Sequence, residues 1–419
     1  MEYYHVPTVD NELYTLLKTE EHRQHAGLEL IASENYASAA VLETMSSVLN
    51  NKYSEGYPGR RYYGGQEVTD VIEQLAIDRA KALFGAQHAN VQPHAGAPAN
   101  IATYFALAKP GDTIMGMDLG HGGHLTHGAP VTEIANVFRF VRYKMKNIET
   151  GEIDYDEMRE TALREKPRII IAGFSAYPRE LDYQKIREIA DEVGAWAIAD
   201  VAHIAGLIVG GQLANPFDFG FDTVLTTTHK TLRGPRGGLI LSRSDEIGKK
   251  IDKAIFPGMQ GGPIMQMVAA KAVAFKEAGQ PEFKTYAAQV IKNAKALAET
   301  LMERGARLIT NGTDNHLMLI DCVKSWNLTG GETQNILDNI GITLNKNMIP
   351  DDPRKALDPS GIRIGTPALT TRGMKEEEMK QLGDIIIKAV NKSSQSHPDS
   401  LKKEVVELAT RFPVPGINL

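Results

Sequence analysis

Lys230 stands in the segment Thr226-Thr-Thr-His-Lys-Thr-Leu-Arg-Gly-Pro-Arg-Gly-Gly238, among hydroxyls, His229 and two arginines. These are not the neighbours of a packing residue. Nearby cations disfavour the ammonium form and leave an amine able to attack an aldehyde. Gly234, Gly237 and Gly238 allow the backbone to approach a ligand closely. A solvated basic loop is the plain alternative for such a lysine read alone. Upstream, Ala195-Trp-Ala-Ile-Ala-Asp-Val-Ala-His-Ile-Ala-Gly206 puts Asp200 at the end of an apolar strand and His203 three residues later. Ligands of open α/β sheets bind at the carboxyl ends of strands. A carboxylate placed there keeps a pyridine nitrogen protonated and makes the ring an electron sink. The alternative is an aspartate that caps a helix.

Two glycine-rich stretches precede this pair. Glu55-Gly-Tyr-Pro-Gly-Arg-Arg-Tyr-Tyr-Gly-Gly65 mixes tyrosines, arginines and glycines, unlike a simple turn. Gln92-Pro-His-Ala-Gly-Ala-Pro-Ala-Asn100 follows a predicted strand, where loop amides cradle a phosphate. His121-Gly-Gly-His-Leu-Thr-His127 spaces three histidines by three residues, which admits a zinc site, although two glycines interrupt it and a planar imidazole also stacks on a ring. Ser360-Gly-Ile-Arg-Ile-Gly-Thr366 sets Arg363 in a short strand, where its planar fork suits a carboxylate; a surface salt bridge is the ordinary reading of an isolated arginine.

The elements that must carry these residues follow from periodicity. Short apolar strands at Arg168–Gly173, Trp196–Ala199, Thr223–Leu225 and Leu239–Ser242 alternate with helices at Val68–Phe84 and Lys185–Val193. This alternation predicts an α/β fold with an open sheet covered on both faces. Glu282–Gly305 is the longest periodic helix and leads toward strands near His316–Asp321 and Ile342–Leu344. The expected organisation is a helical arm over residues 1–50, a large domain over 51–280 and a smaller C-terminal α/β domain over 281–419. The 419 residues suffice for a sizeable core, and a net charge of −6 leaves no basic footprint for nucleic acid. A single cysteine, Cys322, excludes an intrachain disulfide and fits a reducing compartment. Met1–Arg23 is polar, and the apolar stretch Trp196–Gly210 is too short to span a bilayer and carries Asp200 and His203. A cytoplasmic protein with no membrane association is expected.

The order of these features resembles the aspartate-aminotransferase-like (fold type I) superfamily of pyridoxal-phosphate enzymes. Within it the chain is similar to the serine hydroxymethyltransferase family from about Leu28 to Phe412, through Leu30-Ile-Ala-Ser-Glu-Asn-Tyr36, Asn51–Gly65, His121–Gly128 and the Lys230 segment. The resemblance implies a large domain with a mostly parallel seven-stranded type of sheet, a small C-terminal domain, and active sites shared across a homodimer or a tetramer. By the same resemblance, Lys230 would carry pyridoxal phosphate as a Schiff base, with His229 beside it among the catalytic residues. Asp200 would pair with the pyridine nitrogen and His124 would stack on the ring. Ser175 and His203 would lie near the phenolic oxygen. Gly96 and Ala97, next to Ala95, would give amides to the phosphate, which Tyr53 and Gly261 of the partner subunit would also reach. Arg363 and Ser33 would hold the amino-acid carboxylate. Glu55 and Tyr63 of the partner subunit would sit near the hydroxymethyl group, with Glu55 handling a proton. Tyr62, Leu119, Gly123, Leu125 and Asn347 match positions of the folate site. The implied reaction moves the serine hydroxymethyl carbon reversibly to tetrahydrofolate, giving glycine and 5,10-methylenetetrahydrofolate.

Three positions depart from the family pattern. Ala95 stands where serine is usual, Pro98 where glutamine is usual, and Lys355-Ala-Leu357 where Ser-Pro-Phe is frequent. The first removes a hydroxyl from the phosphate cup, and the second deletes an amide donor. The third opens the identity of the carbon carrier, with another tetrahydropterin as the alternative. The rival readings are a pterin-independent aldolase acting on threonine or α-methylserine, a zinc hydrolase built on the histidine cluster, and a catalytically silent dimeric scaffold.

Overall fold

Three consecutive isoleucines, Ile169-Ile-Ile171, are buried on both faces of one strand, the signature of a parallel sheet sandwiched between helices. The computed structural model describes residues 3–391 and 398–417. Among them the main sheet has seven strands: β1 (His88–Asn90), β2 (Thr113–Met117), β3 (Arg139–Tyr143), β4 (Ile169–Gly173), β5 (Trp196–Asp200), β6 (Thr223–Thr227) and β7 (Gly238–Ser242). Their spatial order is β1-β7-β6-β5-β4-β2-β3. From β6 through β3 every neighbour is parallel, while β7 runs antiparallel to both β6 and β1. This is the mixed α/β architecture with a mostly parallel sheet that the sequence predicts. Ile198, Leu225 and Ile240 pack with Ala99, Ala102, Tyr104 and Ile251 into one core.

The predicted elements recur with small extensions. The helix expected over Val68–Phe84 runs Glu67–Phe84 and stops at Gly85, whose φ of 68° is left-handed. The helix expected over Lys185–Val193 begins at Tyr183, because the Asp182 side chain accepts the Lys185 N–H and caps it. The strand expected over Thr223–Leu225 continues to Thr227, two residues closer to the lysine.

The chain forms two compact units, residues 40–288 and the segment through Ala39 together with residues from Gln289 onward. The boundaries at 50 and 280 therefore do not coincide with this division. The first fifty residues are also not uniformly helical. Helix Asn11–Ala26 ends before Gly27, and Leu28–Glu29 pairs in parallel with Ile342–Thr343. Leu28 and Leu30 enter the apolar core of the second unit, which explains why this segment belongs there. That unit holds a three-stranded antiparallel sheet of β8 (Leu317–Asp321), β9 (Asn345–Asn347) and β10 (Gly361–Gly365), with β10 central. No helix of the described residues is long and apolar enough to cross a membrane.

Candidate active site

Strand register gathers the chemistry at one edge of the main sheet. Gly173 and Asp200 stand opposite one another at the carboxyl ends of β4 and β5, and Asp200 faces Leu225 two residues before β6 ends. Gly173 has no alternative there, since a Cβ would lie 2.7 Å from the Cβ of Asp200. Ser175, His203 and Lys230 follow these strand ends. The Gln92–Ala95 loop leaves β1 at the same edge and runs into the helix that opens at Gly96, and Leu119–His127 leaves β2 there.

Asp200 is buried, and burial alone raises a carboxyl pKa. The hydrogen bond from His127, the charges of His127 and His124, and the bond from Asn100 outweigh that and hold the group ionised, well below the usual carboxylate range. Its Oδ2 accepts from Asn100 Nδ2 at 2.7 Å and from His127 Nε2 at 3.0 Å, and its Oδ1 accepts the Ala202 N–H at 3.1 Å. A carboxylate has about four acceptor positions, so one remains for a further donor.

Reading residues singly gave no role to Asn100 or Thr126 and offered His127 only as a zinc ligand, yet all three belong to the polar chain at Asp200. His127 Nδ1 accepts the His124 N–H at 3.3 Å, which leaves Nε2 as the nitrogen that donates to Asp200. Asn100 Nδ2 also donates to Thr126 Oγ1 at 2.8 Å. The Thr126 N–H reaches His124 Nδ1 at 3.2 Å, with Thr126 Oγ1 2.7 Å from the same nitrogen. The His124 ring is thus fixed through a polar chain that begins at Asp200. One signal was available: His124 and His127 bracket a 3-10 turn, in which positions three apart eclipse each other. The donor atoms of His124, His127 and Asp200 lie within 4.8 Å of one another, which is compatible with a cation. Both nitrogens of His127 are already engaged, however, and His121 Nδ1 accepts the Met145 N–H at 3.3 Å, apart from that group. The three-histidine zinc site of the hydrolase reading is not assembled.

Lys230 is 9% exposed, on a loop folded back on itself. The Thr228 N–H donates to Gly237 O at 3.1 Å, and the Gly234 N–H donates to Thr228 O at 2.7 Å. Thr231 Oγ1 donates to the His203 carbonyl at 2.9 Å and accepts the Gly206 N–H at 3.0 Å, tying the lysine loop to the Asp200–His203 turn. His229 beside it is pushed down to about 3 by burial, then by the Arg236 and Lys230 charges, so it is neutral at ordinary pH. Its Nδ1 is buried with no hydrogen-bond partner among the described residues.

Gly96 opens helix Gly96–Leu107, and Ala95 at the cap position offers no side-chain acceptor to the first-turn amides. A Cβ on Gly96 would meet Thr227 Cγ2 at 2.7 Å, so glycine lets β6 approach this helix end. Pro98 sits in the first turn, where the missing N–H costs no intrahelical bond.

Around Glu55 the backbone is pinned by Arg61. That guanidinium is buried, pairs with Asp70 at 2.8 Å and Glu73 at 2.6 Å, and donates to the carbonyls of Ser54 at 2.8 Å and Gly56 at 2.9 Å. Arg61 thus spends its charge on other carboxylates, not on Glu55. The Glu55 charge and a hydrogen bond to it raise the pKa of Tyr53, whose ring packs edge-on against Tyr63 at 5.3 Å. Glu55 Oε1 lies 3.4 Å from where a Cβ on Gly261 would be, so Tyr53, Glu55 and Gly261 are neighbours within one chain. Tyr62 is exposed and touches Phe256, and Leu119 and Leu125 are also exposed on the loop beyond β2. Gly123 cannot carry a Cβ, which would lie 2.1 Å from Met117 O.

In the second unit, Arg363 on β10 donates to Asn345 Oδ1 at 3.1 Å and to Ser33 Oγ at 3.4 Å. Both are neutral groups, and burial pushes the guanidinium down to about 10. Asn347 ends β9 opposite Gly361. Leu357 of the departing segment is 84% exposed. Arg363 and Ser33, which the family resemblance puts at one carboxylate, are thus within hydrogen-bond reach of each other, and Asn345 is a neighbour that sequence reading did not name.

A family model described as serine hydroxymethyltransferase matches residues 6–386. A serine hydroxymethyltransferase of Nostoc sp. (strain PCC 7120 / SAG 25.82 / UTEX 2576) is 55% identical over 406 residues, covering 97% of this chain and 94% of the relative.

Proposed function

The chain belongs to the serine hydroxymethyltransferase family, whose reaction interconverts serine and glycine with tetrahydrofolate, and on that premise we propose pyridoxal phosphate, attached to Lys230, as its cofactor. The observation that carries this reading is the Asp200 carboxylate, held ionised at a strand end with one acceptor position to spare. The buried His229 Nδ1 and the uncapped amides at Gly96 also fit a bound, phosphorylated heterocycle.

When bound, the cofactor supplies an electron sink for charge developing at the α-carbon of the amino acid. The chain's own residues do the rest. Lys230 provides the amine that attaches the carbonyl group. Asp200 would keep a proton on the ring nitrogen, and His124, fixed by Thr126, would cover the ring face. Ser175 and His203 would lie near the phenolic oxygen. Gly96 and Ala97 would give amides to the phosphate, while Ala95 and Pro98 add neither a hydroxyl nor a third first-turn amide. Glu55 holds and moves a proton at the serine hydroxyl or the pterin nitrogen, with Tyr63 beside it. Tyr62, Leu119, Gly123 and Leu125 match family positions for the pterin, as does Asn347.

A homodimer is the proposed assembly. Val68, Val71 and Leu75 recur at helical spacing on Glu67–Phe84, and all three side chains are exposed in the single chain. The exposed Tyr53 and Tyr63 suit residues that complete a partner's site. A cytoplasmic location is proposed from the single, buried Cys322.

The reading is tested by serine cleavage with and without tetrahydrofolate, and with a methanopterin-type carrier. Glycine formation is expected to depend on tetrahydrofolate. Equal rates without any pterin would favour the aldolase, and preference for the second carrier would revise the cosubstrate. Arg363→Ala separately tests the carboxylate site. A charge-assisted hydrogen bond contributes about 1.5–3 kcal/mol, so serine and glycine dissociation constants are expected to rise at least about tenfold, with cofactor content unchanged. Normal serine affinity in spectral titration would assign the carboxylate to another residue.

A further inference from the structure

Lys271 lies inside the large unit on helix Met265–Ala278 and is only 2% exposed. Its Nζ donates to three backbone carbonyls, Val91 at 2.6 Å, Gly238 at 2.9 Å and Pro93 at 3.0 Å. An ammonium has three hydrogens, and all three are used. It makes no ion pair among the described residues. Burial pushes its pKa down to about 7, opposed by the charge of Glu73. A methionine would fill much the same space without the desolvation cost of a charge, so packing alone does not account for a lysine here.

The three carbonyls belong to two segments that converge on the cofactor site. Val91 and Pro93 lead from β1 into the loop that ends at Gly96. Gly238 opens β7, where the Lys230 segment closes. The segments are in direct contact: the Gly238 N–H donates to Pro93 O at 3.0 Å, and a Cβ on Gly238 would lie 2.4 Å from Ala95 O. Gly237 makes room for the lysine, since a Cβ there would lie 2.5 Å from Lys271 Cε. Three carbonyl oxygens aimed at one point repel each other unless a cation sits between them.

We propose that Lys271 is a positioning residue for the cofactor, a built-in cation that clamps the phosphate loop to the strand returning from Lys230. The clamp sets the amides of Gly96 and Ala97 in place before the phosphate arrives, so that binding does not have to order them. The proposal rests on the pyridoxal-phosphate reading above.

The test measures pyridoxal-phosphate affinity of apoprotein by equilibrium dialysis, together with the rise in Tm that the cofactor produces. Lys271→Met is expected to weaken binding at least about tenfold and to shrink that rise. Gly237→Ala, which crowds Lys271 while keeping its amine, is expected to do the same. In a Lys271→Ala background, Gly237→Ala should add less than it costs alone, because the collision has been removed. Wild-type apoprotein that fails to bind the cofactor would overturn the cofactor reading itself. Wild-type binding matched by folded Lys271→Met and Gly237→Ala proteins would overturn the clamp alone. A Lys271→Met protein that cannot be recovered folded under saturating cofactor would make Lys271 a general fold residue, which also overturns it.

Discussion

Lys230→Ala is expected to give a folded protein that no longer holds pyridoxal phosphate covalently and no longer sustains multiple turnovers of serine. The loop has backbone reasons to keep its shape without the amine. Thr228 bonds Gly237 and receives Gly234, and the Thr231 hydroxyl bridges His203 and Gly206. Removing the lysine also removes one of the cations that depress His229, so the imidazole pKa is expected to move up from about 3. Cofactor is expected still to bind through the phosphate amides and Asp200, but without the amine there would be no exchange of attachment between enzyme and substrate. Borohydride reduction followed by mass spectrometry provides the check. The wild-type peptide containing residue 230 should carry the cofactor mass, and the variant should carry none at any position. Full activity, or reducible cofactor on another lysine, would displace the assignment.

Much of the fold was legible because its strands are buried on both faces. Runs such as Ile169–Gly173 and Trp196–Ala199 stay apolar throughout, and glycines at positive φ, Gly85 and Gly194, mark where helices stop. The reversed direction of β7 was not legible, since a strand buried on both faces reads alike in either direction. Nor was the two-residue strand Leu28–Glu29, too short to show a period inside a segment that otherwise reads as helical. The site follows the same logic. Lys230, Asp200 and Arg363 stand out because their residue types are out of place in their surroundings. Asn100 and His127 do not, because their meaning lies in a partner 100 and 73 residues away. Arg61 is a similar case. An arginine close to Glu55 in sequence reads as an ion-pair partner for it, whereas the fold pairs Arg61 with Asp70 and Glu73 from one helix and uses the same guanidinium to hold the carbonyls on either side of Glu55.

That arrangement of Arg61 sharpens what Glu55→Gln should do. The backbone at Glu55 is fixed by Arg61 and by the Tyr62 N–H, which donates to Glu55 O at 3.1 Å, and none of these contacts involves the carboxylate. Gly56, at a φ of 96° and with Arg60 O only 2.3 Å from a would-be Cβ, keeps the turn in either variant. Glutamine therefore preserves shape and the ability to accept from Tyr53, and loses only the capacity to cycle a proton. A positioned acid–base group contributes about 10²–10⁴-fold. Tetrahydrofolate-dependent serine cleavage is expected to fall by about that factor, while cofactor content and glycine binding persist. Pterin-independent cleavage of allo-threonine should fall less, because no one-carbon unit passes to a pterin nitrogen in that reaction. Both activities must be measured on one preparation, since a misassembled dimer lowers them together. Equal losses with intact cofactor would remove the pterin-specific role from Glu55 and leave it a general site residue. Unchanged transfer from serine would end its assignment as the proton carrier, and Tyr53, whose own pKa is raised chiefly by the Glu55 charge, would then be expected to titrate lower in the variant without any change in rate.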